Sequence, residues 1–269
     1  MNFSPVGQIH FLKTIVERKR NEVEHARQQS SVELLRERVE KAQPPRDFLE
    51  PFSSGFGCIA EIKKKSPSQG LLTKDFAPEQ VAREYERGGA SAISVLTDDE
   101  FFGGSLDDII RTKRATSLPV LRKDFIIDEY QIYEARAYGA DAILLISELL
   151  PEHEARRFVS LARQLGMAAV VESHKADGIE KAKRAGAQII GVNNRDLDDF
   201  TLEPQTSFAL KSLIPEEIIA ISESGIKTSE DLERLRDIGY RGALIGETLM
   251  VCSNREQALR DLLAPLKKR

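Results

Sequence analysis

One unit repeats from residue 57 onward: a short apolar run, a loop, then a stretch of helical period. The runs are GCIAEIK (57–63), SAISVL (91–96), PVLRK (119–123), DAILLI (141–146), MAAVVE (167–172), QIIGVN (188–193), EIIAIS (217–222) and GALIG (242–246). Their starts are spaced by about the length of one strand–helix unit. They are nearly continuous Val, Ile, Ala and Leu rather than alternating, as expected of parallel strands covered on both faces. Eight such units predict an α/β fold, a closed (β/α)8 TIM barrel. The competing architecture, a doubly wound open sheet, usually has fewer strands, and no Gly-x-Gly-x-x-Gly opens the first helix. A single domain over 1–269 is expected, of which 1–50 is a helical extension outside the repeat.

Helix ends are marked in the sequence. Thr228 is placed to cap a helix whose third residue is Asp231, with Leu232, Leu235 and Ile238 on its apolar face and Gly239 as a left-handed stop. Asp128 opens another helix that Gly139 ends, and Pro78, Pro151 and Pro204 sit near helix starts, where a missing N–H costs little. In the extension, Ile9, Leu12, Ile15, Val16 and Val23 give an amphipathic helix with ERKRNEVEHAR as its solvated side. A second helix over 31–41 stops before Pro44-Pro45, and Phe48 and Phe52 are candidate anchors. Two readings stay open for this extension: a packing layer, or a lid across one barrel mouth.

Composition narrows the class of function. The formal net charge of −4 disfavours general nucleic-acid binding. Hydrophobic and charged residues, 41% and 30% of the chain, are in globular balance. Two cysteines, Cys58 and Cys252, argue against a disulfide scaffold and fit a reducing compartment. No run approaches the ~18 apolar residues of a membrane span, and MNFSPVGQIH lacks the basic and apolar segments of a secretory signal, so a cytoplasmic protein is expected.

In such a barrel the chemistry sits at the C-terminal strand ends. Polar residues gather there: Glu61 and Lys63, Arg122-Lys123-Asp124, Glu172, Asn193-Asn194-Arg195-Asp196, Ser222-Glu223-Ser224-Gly225 and Gly246-Glu247. Any one of these is compatible with an ordinary solvated end; their coincidence on several strands is not. Lys64 and Lys65 read as surface charges, His174 as a helix cap, and His10, His25 and His153 as surface helix residues. No His/Cys/Asp spacing suits zinc or iron, and Cys58 reads as a small buried residue. Small residues after the seventh and eighth strands, Gly225 and Gly246, leave backbone N–H groups free before helix starts, where barrel enzymes often bind phosphate.

The segments IAEIKKKSPSQG (59–70), SVLTDDEFFGGS (94–105), PVLRKDFIIDEYQIYEARAYGADAILLI (119–146), GVNNRDL (191–197) and ISESGI (221–226), with Pro-Arg-Asp-Phe at 45–48, resemble the indole-3-glycerol-phosphate synthase family over essentially the whole chain. The resemblance implies a carboxy-lyase of tryptophan biosynthesis. Its reaction takes 1-(2-carboxyphenylamino)-1-deoxyribulose 5-phosphate to indole-3-glycerol phosphate, carbon dioxide and water, with no metal or organic cofactor. It implies Lys123 as general acid of ring closure, its pKa lowered by a neighbouring cation. Glu172 and Lys63 would serve later proton transfers and Glu61 would orient them; which group removes the last proton stays open. Asn193, Glu223 and Ser224 would line the reacting hydroxyls, Arg195 would position substrate or carboxylates, and Phe102 and Phe125 would flank the anthranilate ring. Ser66, Gly225, Gly246 and Glu247 would meet the phosphate, with the Glu247 carboxylate turned away from it. The expected partner is a small sugar-phosphate substrate bound by a monomer, without nucleic acid or membrane. Phosphoribosylanthranilate isomerase is the neighbouring alternative, and a non-catalytic scaffold barrel the non-enzymatic one. Lys63, Lys123 and the extension favour the synthase over the isomerase, and the intact strand-end motifs oppose the scaffold.

Overall fold

The computed structural model describes residues 11–67, 69–73 and 76–268. Eight parallel strands close into a ring: β1 (Gly57–Ile62), β2 (Ala92–Leu96), β3 (Val120–Lys123), β4 (Ala142–Ile146), β5 (Ala168–Ser173), β6 (Ile189–Asn193), β7 (Ile219–Glu223) and β8 (Gly242–Ile245). Neighbours in sequence pair in order, and β1 closes the ring by lying beside β8 with Gly57 opposite Gly242. Every expected run forms a strand, with ends displaced by one or two residues. The fold is the (β/α)8 barrel, preceded by helices α1 (Phe11–Gln29), α2 (Val32–Lys41) and α3 (Glu50–Ser53).

Side chains of a strand alternate between its faces. Ile59, Ala92, Leu121, Leu144, Val170, Ile189, Ile221 and Leu244 accordingly form one buried cluster inside the barrel. Ala60, Ile93, Val120, Ile143, Val171, Ile190 and Ala243 face outward into a second cluster under the surrounding helices. Those helices are α4 (Pro78–Gly88), α5 (Asp99–Phe102), α6 (Leu106–Ala115), α7 (Glu129–Ala137), α8 (Glu152–Gln164), α9 (Ala176–Arg184), α10 (Gln205–Leu210), α11 (Ser229–Asp237), α12 (Glu247–Met250) and α13 (Arg255–Leu263). Thr228 and Asp231 form the expected reciprocal cap of α11, and Asp128 caps α7 with Gln131. Gly139 and Gly239 follow their helices in the left-handed region. Leu232 and Leu235 are buried, but Ile238 is 39% exposed. The helix ends at Asp237, so Ile238 leaves the apolar stripe.

The extension engages both ends of the barrel. Leu12, Ile15 and Val23 of α1 are buried; Ile9 and His10 lie outside the described residues. Lys19 corrects the reading of ERKRNEVEHAR as wholly solvated: it is 3% exposed and faces the protein with the apolar residues. Helix α2 runs beside α7, where Leu35, Val23 and Tyr130 form a small cluster and Arg36 stacks on the Tyr133 ring at 4.9 Å. The chain then crosses beneath the barrel. The Arg46 backbone N–H donates to Asp141 Oδ1 at 2.7 Å, and its guanidinium donates to the carbonyls of Leu118 and Lys113. Asp141 Oδ2 also accepts from the Val120 N–H, so the carboxylate ties this crossing to the start of β3.

Phe52 closes the lower mouth. A Cβ at Gly57 would lie 2.6 Å from the Phe52 ring, and one at Gly242 would lie 3.0 Å from it. Two glycines that begin adjacent strands therefore make room for one aromatic plug, against which Phe48 packs at 5.9 Å between ring centroids. Phe52→Ala should cost about 3–5 kcal/mol, the usual price of emptying a buried aromatic site. Urea unfolding at unchanged m-value checks this; a midpoint equal to wild type would show that Phe52 is not the plug.

Candidate active site

The alternation that fills the barrel with hydrocarbon below places polar residues above it. Glu61, Lys123, Glu172, Asn193 and Glu223 occupy inward positions at the C-terminal ends of β1, β3, β5, β6 and β7. They line one cleft with Lys63, Ser66, Phe102, Phe125, Arg195, Ser224, Gly225, Gly246 and Glu247. The cleft spans about 940 Å³ when the part open to solvent is counted. Every residue given a catalytic or substrate-binding role thus lines the same space, whereas Arg122, Asn194, Asp196 and Ser222 of the strand-end motifs do not.

Its floor is a buried charge cluster. The Lys123 ammonium donates to Glu172 Oε2 at 2.6 Å and to Glu223 Oε2. Asn193 Nδ2 donates to Glu172 Oε1 at 2.9 Å, and Lys63 pairs with Glu61 at 2.8 Å. Burial opposes charge on Lys123, but Glu172, Glu223 and Glu61 outweigh it and hold the amine well above its ordinary range. This corrects the expectation of a lysine depressed by a neighbouring cation: its near neighbours are carboxylates. Burial likewise opposes ionisation of Glu172, yet Lys123 and the Asn193 hydrogen bond keep it below the usual carboxylate value. At Glu223 burial prevails: although Lys123 favours the anion, burial and the Glu172 charge push the carboxyl up to about 8. Like charges sharing a site separate in this manner, one ionised and one protonated.

Glycines make room for these carboxylates. A Cβ at Gly191 would lie 2.2 Å from Glu223 Oε1. One at Gly246 would lie 2.4 Å from Glu61 Oε1, so this glycine admits a carboxylate whatever it does for a phosphate. Ser224 is a non-glycine residue at φ +67°, followed by Gly225 at +77°. Asn194 Nδ2 holds this turn by donating to the Ser224 carbonyl at 2.9 Å.

Toward the rim, Arg195 donates its backbone N–H to Asn193 Oδ1 and its guanidinium to the Phe200 carbonyl, and lies 3.8 Å from Glu247 Oε2. Gln69 donates to Glu247 Oε1, while Ser66 Oγ accepts the Gln69 N–H at 3.2 Å. The Glu247 carboxylate therefore borders the cleft between Arg195 and Gln69. Phe102 and Phe125 stand with ring centroids 6.2 Å apart and planes tilted by 37°. A third aromatic, Phe200, also borders the cleft, and sequence reading missed it.

Outside the cleft, His174 is not a helix cap. Its ring bridges Glu148 at 3.4 Å and Asp196 at 3.2 Å, and the cap position of α9 is Lys175. His25 and His153 are exposed on helices, and Lys64 and Lys65 are half-buried. Cys58 is buried, which pushes its thiol up to about 12. Among the described residues no group of three or more His, Cys, Asp or Glu is arranged to hold a metal, and no helix is long and apolar enough to cross a membrane.

Glu223 gives a pH test. Its carboxyl titrates at about 8 in the folded chain against an ordinary 4.5, so the folded state binds the proton more tightly. That contribution is complete below the ordinary value and is lost as pH rises toward about 8. Glu223→Gln, a neutral isostere, should escape the loss: its Tm relative to wild type should climb between pH about 5 and 8 and level off above. A Tm difference independent of pH would show that Glu223 is ionised throughout.

A profile of the indole-3-glycerol phosphate synthase family matches residues 12–262. The indole-3-glycerol phosphate synthase of Desulfotalea psychrophila is 47% identical over 257 residues, 94% of this chain and 98% of that one. That of Chloroherpeton thalassium is 47% identical over 245 residues, 89% of this chain and 94% of that one. Among solved structures, thiamine phosphate pyrophosphorylase from Pyrococcus furiosus superposes with a TM-score of 0.60 at 14% identity, covering 79% of this chain and 96% of that one. N-acetylmannosamine-6-phosphate 2-epimerase from Clostridium perfringens gives 0.59 at 16%, covering 84% and 100%. At such identities these two structures speak for the barrel alone.

Proposed function

The chain belongs to the indole-3-glycerol phosphate synthase family, and from that premise we propose how its strand-end cluster performs the reaction. The activity is that of a carboxy-lyase in tryptophan biosynthesis. It closes the indole ring of 1-(2-carboxyphenylamino)-1-deoxyribulose 5-phosphate, releasing carbon dioxide and water. The observation that carries the assignment of roles is the Lys123 ammonium, seated between two buried carboxylates on the cleft floor beside an aromatic pair.

Phe102 and Phe125 hold the anthranilate ring and leave its carboxylate-bearing carbon facing the ketone. As that carbon attacks, the carbonyl oxygen gains alkoxide character. Lys123 gives it a proton. An amine with a raised pKa is fully protonated at neutral pH, and a developing alkoxide is more basic still, so the transfer runs downhill. Loss of carbon dioxide then returns the bond electrons to the ring. Dehydration needs an acid for the departing hydroxyl and a base for the adjacent proton; Glu172 and Lys63 supply this pair, with Glu61 fixing Lys63. Asn193, Glu223 and Ser224 border the hydroxyls, and Arg195 positions the substrate together with Glu247. Ser66, Gly225 and the backbone at Gly246 and Glu247 receive the phosphate. No step requires a metal or organic cofactor. The whole chain works as one domain, with residues 1–50 as its extension, in a reducing cytoplasm and as a monomer.

Lys123→Met should lower kcat by about 10²–10⁴, the usual worth of a positioned acid, with the fold intact by circular dichroism. Fluorescence of the indole product follows the reaction, and the chain's lack of Trp keeps the background low. Turnover within about threefold of wild type, with chemistry limiting, would remove Lys123 from the role. The phosphate assignment has its own test. Glu247 places a carboxylate where a dianion binds, so Glu247→Gln should tighten inhibition by inorganic phosphate about three- to tenfold, the scale of one screened charge repulsion. Unchanged or weaker inhibition would place the phosphate elsewhere.

A further inference from the structure

Lys19 lies on α1, outside the cleft lining, yet its side chain is 4% exposed and carries a full charge into the protein. Its Nζ stands 2.8 Å from Asp98 Oδ2, 3.0 Å from Asp124 Oδ1 and 2.7 Å from Glu22 Oε2. Burial opposes charge on this amine, but Asp124 and Asp98 outweigh it and raise its pKa. Both aspartates act on residues of the cleft. Asp98 Oδ1 accepts the Phe101 N–H at 2.8 Å and so caps α5, the short turn that ends at Phe102. Asp124 follows Lys123 in the chain and accepts the Phe125 N–H at 2.8 Å. Its other oxygen accepts from Thr97 at 2.5 Å and Arg122 at 3.0 Å. One ammonium thus grips the carboxylates that set the backbone of Phe102, of Phe125 and of the residue after Lys123.

A buried ion pair is an inefficient source of stability, because desolvation consumes most of the Coulombic gain. It does fix geometry, since each partner strands a buried charge if it leaves. We propose that Lys19 is a positioning residue for ring closure: through Asp98 and Asp124 it aligns the Phe102–Phe125 pair and Lys123 against the anthranilate ring. This rests on the reading of those three residues given above. Helix α1 is then more than a covering layer, because it supplies the charge that the two rim loops share. Misplacement of reacting groups by about 1 Å costs on the order of 10²-fold in rate, which sets the scale of the effect.

The test uses the full chain with Lys19→Met, Lys19→Arg and, as reference, Lys123→Met. Folding is verified by circular dichroism at a temperature well below each Tm. Lys19→Met should lower kcat about 10- to 100-fold. It should also weaken binding of indole-3-glycerol phosphate while leaving inhibition by inorganic phosphate within about twofold, since only the aromatic half of the site is disturbed. Lys19→Arg, which keeps the charge, should restore most of the turnover. A merely structural lysine would lower Tm and leave kcat and the two affinities in their wild-type ratio. Wild-type kcat in folded Lys19→Met, with Lys123→Met inactive, overturns this inference alone; wild-type kcat in both overturns the reading of the site as well. Should Lys19→Met fail to fold, Asp98→Asn carries the question, because its amide oxygen still caps Phe101 while the charge by which Lys19 holds the Phe102 turn is gone and Lys19 keeps Asp124. It should show the same split between aromatic and phosphate ligands, and equal losses for both would overturn the proposal.

Discussion

Closing eight parallel strands into a ring forces every second residue toward one axis, and the molecule is organised by how that axis is filled. The lower part takes hydrocarbon and is stopped by Phe52, which fits because Gly57 and Gly242 present no side chains. The upper part takes Glu61, Lys123, Glu172, Asn193 and Glu223. Such groups are costly to bury singly and tolerable only as a mutually satisfied set.

That requirement explains the ionisation pattern. Lys63 and Lys123 face three carboxyls, so full ionisation would leave a surplus negative charge in a poorly solvated space. Retaining a proton on Glu223 brings the count to neutrality. The arrangement answers to charge balance before any substrate arrives, and the same balance leaves one group charged as an acid and another available as a base.

Much of this is legible in the sequence because the responsible patterns are local. A strand buried on both faces announces itself as an apolar run, and the polar residue ending it is then assigned a side by counting in twos. The Thr228–Asp231 and Asp128 caps are equally local. What escaped depends on contacts distant along the chain. Lys19 sits in Glu17-Arg18-Lys19-Arg20, which looks solvated, although it is four residues from both Ile15 and Val23 and shares their face; only Asp98 and Asp124 make its burial tolerable. His174 resembles a cap by position, but Glu148 and Asp196 claim its ring. The raised amine of Lys123 follows from which charges end up nearest, and strand-end spacing does not give that.

The extension also bears on how the chain reaches its native state. Arg46 bonds to Asp141, 95 positions downstream, and the Tyr130 hydroxyl donates to the Ala26 carbonyl across 104 positions. During synthesis α1 and the Phe48–Phe52 segment leave the ribosome before any of these partners exists. At about 5–20 residues per second, that interval is on the order of 5–20 s, during which the apolar stripe of α1 remains undocked. Contacts of such long sequence separation form late because loop closure must come first. Docking of α1 and of the Arg46 crossing consequently waits until β3, α7 and the start of β4 have been made.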